Sequence, residues 1–284
     1  MDSKLKPRRN KAGLARDFEV LEVLGSLESA QSWGLGVNRV SELLGRDKGQ
    51  VSRTLATLAD SGLVERDRQS GRYKLGFQLY ALAARTAESR LVSESLPFLR
   101  EVVSLTHETT HLCVLRGGNV LTLKSETSPS SFRGVGWEGI SVAAAQTSSG
   151  RALLSDWTEQ EVTNWYREHA ADSLVVQPEI SLPPGISELN IEAVRGQLKT
   201  RVRNLEDLLR ELEVVRKQGY ALVDEEFELG LVGASAPIRD ATNRVVAVIN
   251  VSAPKTRIGA QLNQVGEIVK RVGEAASRHL GAAV

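Results

Sequence analysis

The stretch VNRVSELLGRDKGQVSRTLATLADSGLVERDRQSGRYKL, residues 37–75, sets the reading of the whole chain. Val40, Leu43 and Leu44 give a first helix an apolar stripe at i, i+3 and i+4, the spacing of one helical face. Gly45 ends that helix, because glycine takes a positive φ without strain. Asp47 is placed to N-cap a second helix beginning near Lys48. Its apolar positions are Val51, Leu55 and Leu58, with Leu63 after a Gly62 stop. Between them Lys48, Gln50, Ser52, Arg53, Thr54 and Thr57 can all donate hydrogen bonds, and no acid follows until Asp60. A helix that reads base edges and phosphates in a major groove needs such a surface. A hairpin comes next: residues 63–66 and 72–75 flank a tip, 67–71, that carries the turn signal Ser70-Gly71. Arg66, Arg68, Arg72 and Lys74 make this ribbon basic. A solvated helical hairpin with a charged loop would account for the charges, but not for helix, turn, helix and basic ribbon in that order.

The chain around this stretch has 284 residues, enough for about two domains. Hydrophobic residues make up 41% and charged residues 25%, so a sizeable core needs no metal or disulfide staple. Cys113 is the single cysteine, which excludes an internal disulfide and fits a reducing cytoplasm. No apolar run approaches the ~20 residues of a membrane span, and no apolar segment follows the basic N-terminus as a secretory signal requires. The expected location is cytoplasmic. The net charge of +1 hides an asymmetry. Residues 1–76 carry 14 Lys/Arg against 10 Asp/Glu, and the remainder 22 against 25. Positive charge gathers where phosphate binding would use it.

Four regions follow. Residues 1–16 hold six basic residues and one acid. They read as a flexible basic arm, either lying on DNA or merely solubilising. Residues 17–76 form the winged helix-turn-helix, opened by a helix over Asp17–Leu27 and given a short third strand by Gly34–Val37. Residues 77–90 read as one linker helix, rich in alanine, which either seams a dimer or packs on its own domain. Residues 91–284 read as α+β with a largely antiparallel sheet. Their expected elements are a helix around Leu96–Thr106, strands at 110–115 and 120–124, and helices at 148–154, 159–169 and 205–218. Strands at 220–223, 234–239 and 245–251 and a last helix from about Gln261 to His279 complete the domain. An irregular excursion is expected over 171–190, where three prolines fall.

These residues resemble the IclR family of bacterial transcriptional regulators over nearly the whole length. KGQVSRTLATLADSGLVERD and GRYKLG look like its winged helix-turn-helix. THETTHLCVL (106–115) resembles the opening of its effector domain, and TSSGRALL (147–154) its Thr-x-x-Gly-Lys-Ala-Leu-Leu segment, with Arg151 for the lysine. GYALVDEEFELGLVGASAPIRDATNRVVAVINVSAP (219–254) resembles its closing signature. The resemblance implies a GAF-like C-terminal domain that binds a small organic or aromatic acid. It also implies a homodimer or dimer of dimers on a pseudopalindromic double-stranded DNA operator. The effector-binding positions it implies are Ser148, Ser149, Asp224 or its neighbour Val223, Gly233, Asn250 and Ser252. Ser148 and Ser149 open a helix, where free N–H groups favour an anion. Asn250 and Ser252 share one strand face. Capping or backbone satisfaction is the competing role for all of them. Gly233 stands where the family commonly has cysteine, and Asn250 where serine is usual.

His107-Glu108-Thr109-Thr110-His111 spells H-E-x-x-H, the pattern of zinc proteases, which places both histidines on one helix. Here the second histidine opens an alternating strand, so the imidazoles are expected on different elements. Glu108 is then a solvated turn residue, His111 a half-buried sheet residue, and Cys113 a core or pocket-lining thiol. The expected chain is therefore a regulator, with no enzymatic activity, metal or cofactor. A zinc hydrolase, or a regulator whose C-terminal domain serves only assembly, are the alternatives.

Overall fold

A computed structural model describes residues 12–130, 137–169 and 199–283. The chain forms two compact units, Met1–Arg90 and Leu91–Val284.

The first unit packs α1 (Ala12–Leu24), α2 (Leu27–Gln31), α3 (Val37–Leu44) and α4 (Lys48–Asp60) around Val20, Leu24, Val40, Val51, Leu55 and Leu58. Gly45 ends α3 at φ 60°, and Asp47 caps α4 by accepting from the Gln50 amide at 3.0 Å. Strands β1 (Val64–Arg66) and β2 (Tyr73–Leu75) pair antiparallel as the wing. The third strand expected at Gly34–Val37 is reduced to one bridge, Leu35 to Tyr73. Residues 12–16, read as part of a flexible arm, instead form the first turn of α1; residues 1–11 lie outside the described residues.

The single helix expected over Phe77–Arg90 is two. α5 (Phe77–Ala83) closes with tight turns, Arg85 N to Leu82 O and Thr86 N to Ala83 O. α6 then runs Ala87–Thr106, and the Thr86 hydroxyl accepts from the Ser89 amide at 3.3 Å. A threonine side chain that competes for backbone donors ends one helix and starts the next inside an alanine-rich run. α6 also absorbs the separate helix expected later, with Pro97 in its interior.

The second unit is a six-stranded antiparallel sheet in the order β5-β4-β3-β8-β7-β6. Its strands are β3 (Thr110–Arg116), β4 (Asn119–Glu126), β5 (Ser141–Ala143), β6 (Ala221–Asp224), β7 (Leu231–Arg239) and β8 (Val245–Pro254). Strand alternation gives the sheet two different faces. Leu112, Val114, Val232, Ala234, Ala236, Ile249 and Val251 pack against α6 and the long helix over residues 262–279. Cys113 and Val248 face the other way, toward α7 (Ser148–Leu153), α8 (Glu159–His169) and α9 (Leu205–Gln218). A short α10 (Lys255–Ile258) leads into α11 (Leu262–His279). That helix lies close on the sheet because of Gly266: a Cβ there would meet the Tyr220 ring at 2.4 Å. The excursion expected over 171–190 lies outside the described residues. No helix of the described residues is long and apolar enough to cross a membrane.

Candidate functional site

Two surfaces carry the chemistry read from the sequence. On α4, Val51, Leu55 and Leu58 are buried, which turns Lys48, Gln50, Arg53 and Thr57 to solvent. Ser52 lies half-buried at the shoulder of that face. Thr54 is a correction: it is half-buried toward α1, its hydroxyl 3.4 Å from Asp17 Oδ1. Its position, three residues after Val51 and four before Leu58, puts it beside the core stripe and off the outward face.

The basic residues of the wing differ in what they already touch. Arg68 is exposed at the tip. Arg66 stands over the Tyr73 ring at 5.5 Å, a cation–π contact that leaves its outer edge free for phosphate. Lys74 pairs with Glu65 across the ribbon at 3.1 Å. Arg72 donates to the Ser32 carbonyl at 2.5 Å, so it pins the wing to the loop after α2. The tip itself is built by Asp67, which accepts from the Ser70 amide, the Ser70 hydroxyl and the Gln69 amide. The Ser70 amide does most to hold the Asp67 carboxyl below the usual carboxylate range.

In the second unit a cavity of about 70 Å³ opens on the face of the sheet that carries Cys113. That is room for about five to seven water-sized positions, or one small organic molecule. Ser148, Ser149, Gly233, Asn250 and Ser252 line it, with His111, Cys113, Trp137 and Phe227. Thr147 caps α7 by accepting from the Gly150 amide at 3.1 Å, so Ser148 and Ser149 open that helix into the cavity. Asp224 is a correction. It does not line the cavity; Val223 does. Consecutive strand residues face opposite sides, and Asp224 instead meets Lys255 Nζ at 2.7 Å.

The polar floor is continuous. Ser235 Oγ donates to Ser148 Oγ at 2.9 Å and lies 3.1 Å from Ser149 Oγ. Asn250 Nδ2 donates to Ser235 at 2.9 Å, and Ser252 donates to Asn250 Oδ1 at 3.0 Å. Gly233 keeps the floor low: a Cβ there would sit 3.2 Å from Ser148 Oγ and from Val223. Ser235 was not singled out from the sequence. Its signal was parity, since it lies two residues beyond Gly233 on the same strand face.

Behind the floor, Arg151 is fully buried in α7. Its guanidinium meets Glu226 at 2.6 and 3.2 Å and Glu211 at 3.2 Å. Glu226 belongs to the β6–β7 connection that also carries Phe227 of the cavity wall. The neighbouring Glu225 is held at a pKa of about 2, chiefly by Lys199 and then by Lys255.

The H-E-x-x-H segment straddles a junction. α6 ends at Thr106, His107 takes φ 55°, and His111 lies in β3. Glu108 corrects the solvated-turn reading: it is buried and receives the Arg257 guanidinium at 2.6 Å. Arg257 is 149 residues away in sequence, which local patterning cannot reveal. His111 is likewise more buried than expected, at 5% exposure. Its Nδ1 is 2.9 Å from Ser125 Oγ and its ring meets Trp137 edge-on. Among the described residues no group of three His, Cys, Asp or Glu is placed to hold a metal.

Burial pushes the Cys113 thiol up to about 11, so it stays protonated and un-nucleophilic at neutral pH. Burial pushes His111 down to about 4, opposed by the nearby Glu138 carboxylate. The unfolded chain takes up this proton near pH 6.5, while the folded chain refuses it until about pH 4. Stability therefore declines as pH falls through this window, by on the order of 3 kcal/mol from this one group. Urea unfolding at pH 7 and pH 5 should show a smaller difference for His111→Gln than for the wild type.

Comparison with known proteins adds three findings. Residues 13–68 match the family described as IclR helix-turn-helix domain, and residues 83–177 and 187–278 the family described as bacterial transcriptional regulator IclR C-terminal. The chain is 28% identical over 259 residues to the HTH-type transcriptional regulator BhcR of Paracoccus denitrificans, covering 90% of this chain and 82% of that one. It is 27% identical over 240 residues to KdgR of Dickeya chrysanthemi, covering 84% and 71%. Among solved structures, an IclR homolog from Microbacterium hydrocarbonoxydans complexed with 4-hydroxybenzoate aligns with a TM-score of 0.71 at 21% identity, covering 94% and 98%. Thermotoga maritima IclR aligns at 0.68 and 22%, with the same coverage. At these identities the structures speak to the fold.

Proposed function

Because the chain belongs to the IclR family of bacterial transcriptional regulators, we propose that it binds its operator through the outward face of α4 and the wing tip, under control of a small molecule held in the cavity of the second unit. The chain is a DNA-binding transcriptional regulator; what is proposed is which residues read the DNA and what the cavity does. The observation that carries the DNA assignment is the outward face of α4, where Lys48, Gln50, Arg53 and Thr57 stand exposed. Arg53 and Lys48 would take phosphate or guanine, and Gln50 and Thr57 would probe base edges. Arg66 and Arg68 would hold the flanking backbone. Arg72 and Lys74 contribute less, since Arg72 is already bonded to the loop after α2 and Lys74 to Glu65 within the wing.

Exposed apolar residues support a homodimer formed through the first unit. Phe77 and Tyr80 on α5 are 68% and 79% exposed, and Leu14 and Phe18 on α1 are 70% and 55% exposed. Apolar side chains gathered on two helices mark an interaction surface. A second copy would pair two α4 helices over the half-sites of a pseudopalindrome. The same family reading supports a cytoplasmic location and a role without catalytic chemistry.

For the cavity, the floor of hydroxyls and one carboxamide under aromatic walls supports a small-molecule effector. Such a ligand changes operator affinity only if it binds the two functional states differently. The test is a mobility-shift titration of the gene's own promoter with candidate acids. Release by one of them should be lost in Gly233→Leu, which fills the cavity, with binding of free protein to DNA unchanged. Release that persists in a folded Gly233→Leu protein would remove the cavity from the reading.

A further inference from the structure

α1 places a cation beside α4. Arg16, Asp17 and Val20 share one face of α1, and they meet Gln50, Val51 and Thr54 of α4 across a cleft of about 150 Å³. Val20 and Val51 are buried and close the bottom of this cleft. The Asp17 carboxylate lies 3.4 Å from the Thr54 hydroxyl. Arg16 and Gln50 are exposed at the mouth. The second cation of the cleft, Arg46, is already paired with Glu19 and donates to the Arg16 carbonyl at 2.8 Å. That bond ties residue 16 of α1 to the residue before Asp47, the cap of α4. The Arg16 side chain therefore starts from a point fixed relative to α4. No described carboxylate pairs with its guanidinium. Leu14 and Phe18, two residues before and after it, point to another side of α1, so pairing of two copies through them leaves Arg16 open.

Resting on α4 as the helix that reads the operator, we propose that Arg16 holds the DNA backbone phosphate flanking the bases that Gln50 meets. A helix packed on another is displaced from it by about 8–10 Å, while the major groove is only about 12 Å wide. With α4 along the groove, α1 stands over its phosphate rim and away from the base edges. A guanidinium at that place offers parallel N–H donors to phosphate oxygens. Arg16 is then a second backbone contact, on a different element from the wing. Asp17 is the opposing charge of the cleft, and it weakens the hold on every duplex alike.

A phosphate contact is blind to sequence, so it is read on two duplexes, one from the gene's own promoter and one scrambled, by fluorescence anisotropy over a range of salt. Arg16→Gln should weaken binding to both by roughly threefold to tenfold per half-site and reduce the salt slope by about one per half-site. Arg16→Lys should keep most of the binding, because a phosphate also accepts a point charge. Asp17→Asn retains an acceptor for Thr54 and should tighten both duplexes by about twofold to fivefold. The melting temperature of Arg16→Gln should match wild type, since Arg46 bonds the backbone carbonyl of residue 16; Arg16→Ala takes its place if glutamine disturbs the cleft. Unchanged affinity and slope in the folded variant overturn the contact, as does a loss confined to the promoter duplex, which marks a base contact. Arg53→Ala, run beside it, separates the two readings. If Arg53→Ala binds like wild type, α4 is not the reading helix and the premise falls; if it is weakened while the Arg16 variant is not, only the α1 contact falls.

Discussion

Replacing Arg151 by alanine is expected to destabilise the second unit by about 3–5 kcal/mol, the cost of breaking a buried ion pair by removing one partner. Arg151 has no exposed surface and Glu226 is 1% exposed. Truncation would therefore leave a carboxylate buried against an emptied guanidinium site. Glu226 would keep the Arg201 amide at 3.1 Å and the largely exposed Arg201 guanidinium at 3.8 Å, a longer and better-hydrated pair than the one lost. The loss should register as a lower urea midpoint with an unchanged slope. Replacing both partners by apolar residues, as in Arg151→Met with Glu226→Leu, should recover much of the deficit, because no charge is then left unpaired. Glu211 limits that recovery, since it also meets Arg151 but is partly exposed and can rehydrate. A single Arg151→Ala chain as stable as wild type would mean that water enters the site at little cost.

Arg53→Ala should leave stability unchanged and lower operator affinity by about 1–3 kcal/mol per half-site, or roughly fivefold to 150-fold. The side chain is on the outward face of α4, and its removal opens no cavity. The form of the loss tells what Arg53 contacts. A phosphate contact would weaken all sequences alike and reduce the salt slope by about one. A guanine contact would relax specificity at one base pair. Fluorescence anisotropy against the operator and a scrambled duplex, at several salt concentrations, separates them. Lys74→Ala is the internal contrast: its ammonium already meets Glu65, and its loss should cost much less. Equal binding by Arg53→Ala and wild type would remove α4 as the reading helix.

What the sequence disclosed, and what it hid, follows from range. Gly45, Asp47 and the Val51–Leu55–Leu58 stripe act within one or two helical turns, so the helix-turn-helix could be read directly from spacing. The alternation of residues 111–115 likewise placed His111 and Cys113 on one sheet face. The errors arose where the deciding contact is distant. Glu108 reads as a turn residue until Arg257 is brought against it. Thr54 reads as outward until α1 supplies Asp17. Asp224 fails by a single residue because strand parity is known only once the register is, here Val223 opposite Gly233. The break at Ala84–Thr86 was masked by alanine, whose intrinsic preference is for an unbroken helix.

Strand β8 divides its labour by parity. Ile249, Val251 and Ala253 belong to the core under α11, while Asn250 and Ser252 face the cavity. The same division holds along β3 and β7. Ligand preference can therefore drift by point substitution at alternate positions while the residues that hold the sheet to its helices stay as they are. A one-residue insertion has no such freedom, since it would exchange the two faces of the strand at once. A lineage of such sensors should diverge in what it detects by replacing residues on these strands, and tolerate changes of length only in the connections between them.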